Sequence, residues 1–271
     1  MNQALRIAIS GASGRMGSAL IARSRGDRRL RVQRAVIDAR SELVGHPLQQ
    51  PATPDSLRYS NGWEGASDLD VVIDFSTPAG LSAALDYCLA DGVPLVVGTT
   101  GYDAALRDRL DAASERIAVL QAANFSLGVA VLQRLLRDAA RALPEWDLEI
   151  VEAHHGRKED APSGTAIALG EAAAKARGTT LEEQAVYARE GHPGPRRQGE
   201  IGFAVVRGGD IVGEHTALLA GKGERLELIH RATDRGIFAR GALEAAVWLA
   251  AQPPGRYGIA DMLEGRLRSA D

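Results

Sequence analysis

The sequence predicts an α/β protein in two parts: a parallel sheet with helices on its faces, then an α+β half with an open mixed sheet. Three observations carry this reading. Short β-branched runs alternate with helical patterns through the first half. Strand-like runs follow one another, with a single helix among them, through the second. A glycine-rich loop joins the first strand to the first helix. The composition agrees, since 45% apolar and 25% charged residues among 271 exclude a disordered, collagen-like or coiled-coil chain.

In order, Leu5–Ile9 reads as a strand, Arg15–Arg25 as a helix and Arg31–Ile37 as the next strand. The segment Gly45–Gly65 breaks the rhythm with Pro47, Pro51, Pro54 and Gly62, and is expected to be an irregular insertion. The pattern then resumes with strands Val71–Phe75, Val93–Val97 and Ile117–Gln121, separated by helices Ala79–Ala90 and Tyr102–Glu115. A long helix, Leu127–Ala142, is stopped by Pro144. Beyond it come strands Asp147–Ala153, Ile201–Arg207, Ile211–Ala220 and Glu224–Arg231. Gly208-Gly209-Asp210 and Gly221-Lys222-Gly223 are read as hairpin turns between the last three. Helix Gly164–Arg177 interrupts these strands, and Gly191–Gly199 is a Pro/Gly/Arg-rich loop. A final helix, Ile237–Ala251, precedes Pro253-Pro254-Gly255 and what reads as a short polar tail.

Charge and cysteine usage narrow the function. With 32 basic and 35 acidic side chains the net charge is -3, so no global basic field advertises a nucleic-acid partner. Apolar stretches fall short of the ~18–20 residues of a membrane span, and the run within Met1–Ile9 ends at once in glycine, unlike a signal peptide. Cys88 is the only cysteine, which excludes an intramolecular disulfide and fits a reducing cytoplasm.

Leu5 to Gly17 is a buried-strand run, then Gly11, Gly14 and Gly17, then a helix. A dinucleotide requires this arrangement, because a pyrophosphate must reach backbone N–H groups at a helix N-terminus where a Cβ would obstruct it. The spacing is G-x-x-G-x-x-G. Asp38, 21 residues past Gly17 at the end of the next strand, is where ribose hydroxyls are bound in such folds. The carboxylate favours a free 2′-hydroxyl, while Arg15 and Arg40 offer guanidinium groups to a 2′-phosphate. NADH and NADPH therefore both stay open. Gly98-Thr99-Thr100-Gly101 and Ala122-Ala123-Asn124-Phe125-Ser126 follow strands of the same sheet, at the carboxyl ends where ligands bind. Each could equally be an ordinary strand-to-helix turn, with Thr100 or Ser126 as a helix cap.

The most unusual segment is Glu152-Ala-His-His-Gly-Arg-Lys-Glu-Asp-Ala-Pro-Ser-Gly-Thr165. Pro162 and Ser163 are good helix-entry residues, and the helix start with Ser163 and Thr165 is a natural seat for a carboxylate. Lys158 adds a compact cation and histidine a proton donor tunable near neutrality. Together they suit reduction and protonation of an anionic substrate. Adjacent His154 and His155 would hardly share a metal, so no metal site is expected. A G-x-S-x-G elbow is missing, which removes a hydrolase triad. His46, His192, His215 and His230 have no companions in sequence and are read as structural or surface groups, and Cys88 as a core residue.

With these residues in view, the sequence resembles the 4-hydroxy-tetrahydrodipicolinate reductase (dihydrodipicolinate reductase) family over nearly its whole length. The resemblance rests on Gly11–Gly17, Gly98–Gly101, Ala122–Ser126, Glu152–His155, Ala161–Thr165 and Gly213-Glu-His-Thr216. It implies a Rossmann-like dinucleotide-binding domain from 1–125 and 236–271, and a substrate-binding and oligomerisation domain from 126–235. It implies that His154 is the catalytic acid/base and Lys158 a proton donor, with His155, Ser163, Gly164 and Thr165 at the dicarboxylate substrate. It places the nicotinamide cofactor on Gly11, Ala12, Ser13, Gly14, Arg15, Met16, Asp38, Arg40, Gly98, Thr99, Thr100, Ala122, Ala123, Asn124 and Phe125. The family usually sets an arginine directly after the ribose-binding acid; here Ala39 intervenes and Arg40 comes one later. A cytoplasmic homotetramer joined through the second-domain sheet is the expected assembly. The competing readings are another two-domain Rossmann reductase, a semialdehyde dehydrogenase using a cysteine nucleophile, and a dinucleotide-sensing regulatory module.

Overall fold

The computed structural model describes residues 3–49 and 51–268, so Met1, Asn2, Gln50, Ser269, Ala270 and Asp271 of the segments read above lie outside the described residues. The chain divides into two compact units, Met1–Ser126 with Gly236–Asp271, and Leu127–Arg235.

The first unit is built on a seven-stranded sheet whose pairings are all parallel. Its early elements are β1 (Leu5–Ser10), α1 (Arg15–Ser24), β2 (Leu30–Val36), β3 (Tyr59–Ser60), β4 (Val71–Asp74) and α2 (Pro78–Asp91). They continue with β5 (Leu95–Val97), α3 (Ala104–Ala113) and β6 (Ala118–Gln121). Central strands such as β4 are buried along their length, because helices cover both faces and leave no solvent side for polar residues. Ala8, Val72, Leu95, Val97 and Val119 face a core with α2 and α3. Residues of the other parity, including Ile7, Ile9 and Ile73, are fully buried on the opposite side. Local signals set the helix ends: Thr77 accepts from the Gly80 N–H with Pro78 as first residue of α2, and Gly92 closes α2 at φ +70°.

The second unit comprises α4 (Leu127–Ala142), β7 (Asp147–His154), α5 (Gly164–Ala176), α6 (Leu181–Gln184), β8 (Ala185–Val186), β9 (Ile201–Arg207), β10 (Gly213–Gly221) and β11 (Glu224–Ala232). Its strand order is β11-β10-β7-β9-β8. This corrects one sequence expectation. Gly221–Gly223 does turn a hairpin, β10 to β11, but Gly208–Asp210 does not, because β7 lies between β9 and β10. The 208–211 segment instead arches over the end of β7: Gly208 N–H donates to His154 O, and His155 N–H to Ile211 O. The glycines there serve a crossing over a strand end rather than a tight reversal. One face of the sheet, with Leu148, Ile150, Ile201, Phe203, Ala217 and Leu219, packs under α4 and α5. The other exposes Ala204, Val206 and Ile229.

The chain then returns to the first unit as α7 (Gly236–Leu249), β12 (Gly255–Tyr257) and α8 (Ile259–Arg268). The expected polar tail is thus a strand and a helix. β12 adds to the sheet beside β6, and α8 buries Ile259 and Met262. A three-residue strand has too little periodicity to be read locally, and its existence depends on β6 offering a free edge.

Candidate active site

At the carboxyl edge of the first sheet, the three glycines of the 11–17 loop have different physical causes. A Cβ on Gly11, at φ +77°, would meet Phe75 O at 2.3 Å, and one on Gly17 would meet Gly11 O at 2.2 Å. The fold itself therefore demands glycine at both. At Gly14 the only contact is Gly11 O at 3.2 Å, which a small shift relieves, so packing does not require glycine there. Gly14 precedes α1 with no side-chain cap, leaving first-turn N–H groups for an anion to accept from. Such a terminus suits an anion, and of the flanking residues Ala12 is buried, Ser13 and Arg15 are exposed and Met16 is half-buried.

Asp38 lies past the end of β2. Its carboxylate accepts from the Arg40 backbone N–H at 2.9 Å and from the Arg40 guanidinium at 3.0 and 2.8 Å. These bonds hold it well below the ordinary carboxylate range. The two groups that argued for different cofactors are thus joined in one exposed pair.

The end of β4, which carries no recognisable motif, organises this edge. The Phe75 carbonyl underlies Gly11, its ring lies against Gly98, and it packs at 5.1 Å from the Phe125 ring. Asp74 is fully buried and accepts from Thr99 Oγ1 at 2.5 Å and Ser76 Oγ at 2.7 Å. Burial raises its pKa although those hydroxyls and Ser10 oppose it. Thr99 therefore turns inward, while Thr100 is exposed. Thr100 is not the α3 cap, because Asp103 fills that place by accepting from the Leu106 N–H. In the 122–125 loop, Ala122 and Asn124 are half-buried, Ala123 is exposed, and Asn124 Oδ1 accepts from the Ser126 N–H.

In the second unit, β7 delivers Glu152 and His154 to the same face, since they are two residues apart in a strand. The Glu152 side chain is 0% exposed. It accepts from His154 Nδ1 at 2.6 Å, from Ser163 N–H at 2.9 Å, and from both Arg207 Nη atoms at 2.8 Å. Burial pushes its pKa up, but these bonds outweigh burial and leave it below the usual glutamate value. The Ser163 hydroxyl is committed as well: it caps α5 through Ala166 N–H and pairs with His215 Nε2 at 3.0 Å. His215 does have companions, contrary to the sequence reading. It is buried, its ring stands edge-on to His154 at 5.3 Å, and burial lowers its pKa to about 4. It is neutral at physiological pH.

Lys158 Nζ donates to Asp160 at 2.6 Å. Arg235 Nη2 donates to His155 Nε2 at 2.8 Å, and desolvation with nearby Arg157 and Arg235 lowers the His155 pKa. Gly164 is exposed at the start of α5 and Thr165 half-buried beside it. Among the described residues, no cluster of three His, Cys, Asp or Glu could hold a metal, and no helix is long and apolar enough to cross a membrane. Cys88 is fully buried, with burial pushing its thiol pKa well up, so it cannot serve as the nucleophile of a semialdehyde dehydrogenase.

Glu152 and His154 share a face because β7 runs one residue past the predicted strand end at Ala153 and includes His154. Arg207 and Arg235 carried no local signal, since each is brought to the site only by tertiary pairing.

Comparison with known proteins comes to the same place. Residues 5–125 match the family model "Dihydrodipicolinate reductase, N-terminus", and 128–263 match "Dihydrodipicolinate reductase, C-terminus". The chain is 45% identical over 266 residues to the 4-hydroxy-tetrahydrodipicolinate reductase of Caulobacter vibrioides, covering 97% of this chain and 98% of that protein. It is 46% identical over 262 residues to that of Thiobacillus denitrificans, covering 96% and 98%. The solved structure of dipicolinate-bound dihydrodipicolinate reductase from Paenisporosarcina sp. superposes with a TM-score of 0.77 at 22% identity, covering 95% of this chain and 99% of that one. At that identity the likeness concerns the fold.

Proposed function

The chain belongs to the dihydrodipicolinate reductase family, and on that premise we propose how its residues divide the reaction. The protein is an NAD(P)H-dependent oxidoreductase that reduces 4-hydroxy-tetrahydrodipicolinate, a cyclic imine dicarboxylate, in diaminopimelate and lysine biosynthesis. Loss of water, hydroxyl from one ring carbon and proton from its neighbour, leaves a conjugated ring. The nicotinamide, when bound, would supply hydride to the carbon that lost the hydroxyl, and the neighbouring carbon then needs a proton.

Gly11, Ala12, Ser13, Gly14, Arg15 and Met16 hold the pyrophosphate, Asp38 and Arg40 the adenosine ribose end. The 98–100 and 122–125 loops take the nicotinamide side. For NADH the Asp38 carboxylate turns to the ribose hydroxyls; for NADPH the Arg40 guanidinium meets the 2′-phosphate. In the second unit His154 donates or relays the proton to the carbon next to the reduced one. The Lys158 charge meets a substrate carboxylate, which displaces Asp160. Gly164 and Thr165 offer the N-terminus of α5 to the dianion, with His155 and Arg235 beside them. Ser163 contributes by fixing that helix start through its cap and backbone N–H. A reductase of this kind works in the cytoplasm, where its cofactor is kept and Cys88 stays reduced.

The observation that carries this reading is His154, fixed by a buried carboxylate on the same loop as Lys158 and the α5 start. Steady-state kinetics with the cyclic imine tests it. Both His154→Ala and Lys158→Ala are expected to bind NADH normally. Lys158→Ala melts near the wild-type temperature, and His154→Ala somewhat lower because the buried Glu152 carboxylate loses a donor. His154→Ala lowers kcat with KM little changed; Lys158→Ala lowers kcat and raises KM, since a charge on the dicarboxylate is lost before and during reaction. Near-wild-type kcat in both removes the assignment.

A further inference from the structure

An ionised carboxylate has no hydrogen to give, so every group meeting Glu152 must donate to it. Its four acceptor positions are filled. Oε1 accepts from Arg207 Nη2 and Ser163 N–H, and Oε2 from Arg207 Nη1 and His154 Nδ1. Nδ1 of His154 therefore carries its hydrogen whether the ring is neutral or charged. Nε2 is left as the nitrogen where a proton can come and go. A second observation points to the same atom. A Cβ placed on Gly213 would stand 3.0 Å from His154 Nε2 and 3.4 Å from Cδ2. Gly213 has no positive φ to explain its glycine, and it lies at the start of β10, where a side chain would be ordinary.

We propose that Glu152, locked by Arg207, and Gly213 are positioning residues that make His154 Nε2 the single proton-exchanging atom of the site. The carboxylate fixes the tautomer, and the bare glycine leaves room beside Nε2 for the carbon that receives the proton. This rests on His154 being the acid of the reductase. The charged and titratable groups near the ring are Glu152 on β7, Arg207 on β9, His215 on β10 with His230 paired to it on β11, and His155, Lys158 and Asp160 in the loop following β7. Glu152 and Arg207 cancel as a pair, Lys158 and Asp160 form another, and burial keeps His215 neutral. The clamp thus orders the ring without adding net charge of its own.

Nitrogen-15 spectra of histidine-labelled enzyme, with His154 assigned through His154→Asn, read the proton position with no substrate present. Wild type is expected to keep Nδ1 protonated across the titration, with Nε2 the nitrogen that changes. In Glu152→Gln the signal becomes a mixture of tautomers, and kcat falls at least about tenfold. KM and NADH affinity stay within about twofold, and the alkaline limb of kcat against pH moves to lower pH. Gly213→Ala keeps the wild-type spectrum but also lowers kcat, by obstructing Nε2. A merely structural Glu152 would instead lower the melting temperature while leaving tautomer, kcat and pH profile in place, and that result overturns the proposal. If Glu152→Gln does not fold, the wild-type spectrum decides: a neutral His154 with its hydrogen on Nε2 refutes the clamp. Absence of cyclic-imine turnover by wild type would strike the reductase reading, whereas the spectrum judges the tautomer separately.

Discussion

Gly14 differs from its two neighbouring glycines in what requires it. Its neighbours Gly11 and Gly17 would collide with backbone at 2.3 and 2.2 Å if they carried a Cβ, so the fold accounts for them. Gly14 faces only a relievable 3.2 Å contact, so packing does not account for its missing side chain, and the proposed approach of a pyrophosphate to α1 would. Gly14→Val is therefore expected to keep the fold and weaken NADH binding about tenfold or more by calorimetry. Unchanged affinity in a folded variant would move the pyrophosphate elsewhere. The glycine spacing was plain in the sequence, but three equivalent letters could not say which one serves the ligand. His154 and Lys158 were equally legible from their loop. Arg207 was not, because its link to Glu152 exists only once β9 lies beside β7.

Among the elements, α7 shows how a helix distant in sequence supports the 122–125 loop. Its Gly241 sits so close to the 122–125 loop that an added Cβ would lie 1.7 Å from Phe125 O. Helix and loop cannot both keep their places with alanine there. Gly241→Ala is expected to cost about 1–3 kcal/mol, the usual range for overpacking, and to weaken NADH binding by displacing Phe125. Thermal melts and cofactor titration check this, and a variant that melts as wild type would show the contact to be soft. Long helices such as α2 and α4 were readable because capping and periodicity are local. The path from β9 to β10 is not legible locally, because glycines mark a turn without stating its partners. Sheet order is set by which strand fills the gap, and β7 fills it.

For the whole molecule, the open face of the second-unit sheet bears on assembly. Val206 and Ile229 are 48% and 44% exposed on the face away from α4 and α5. A sheet with one face covered and apolar side chains on the other calls for a second surface. We expect a homotetramer joined there, and Val206→Glu should yield smaller species in light scattering at micromolar concentration while the melt stays cooperative. A monomeric wild type would refute the expectation. What the sequence by itself determined about this protein is whatever depends on near neighbours: the strand–helix rhythm, the glycine loop before α1, and the His154–Lys158 loop leading into Ser163 and α5. Only the tertiary structure decided the strand order β11-β10-β7-β9-β8, the addition of β12 to the first sheet, and the four-donor shell around Glu152. The physical reason is range. Turns, caps and periodicity are set within a few residues. Edge pairing and the desolvation of a carboxylate depend on partners such as Arg207, 55 residues away along the chain.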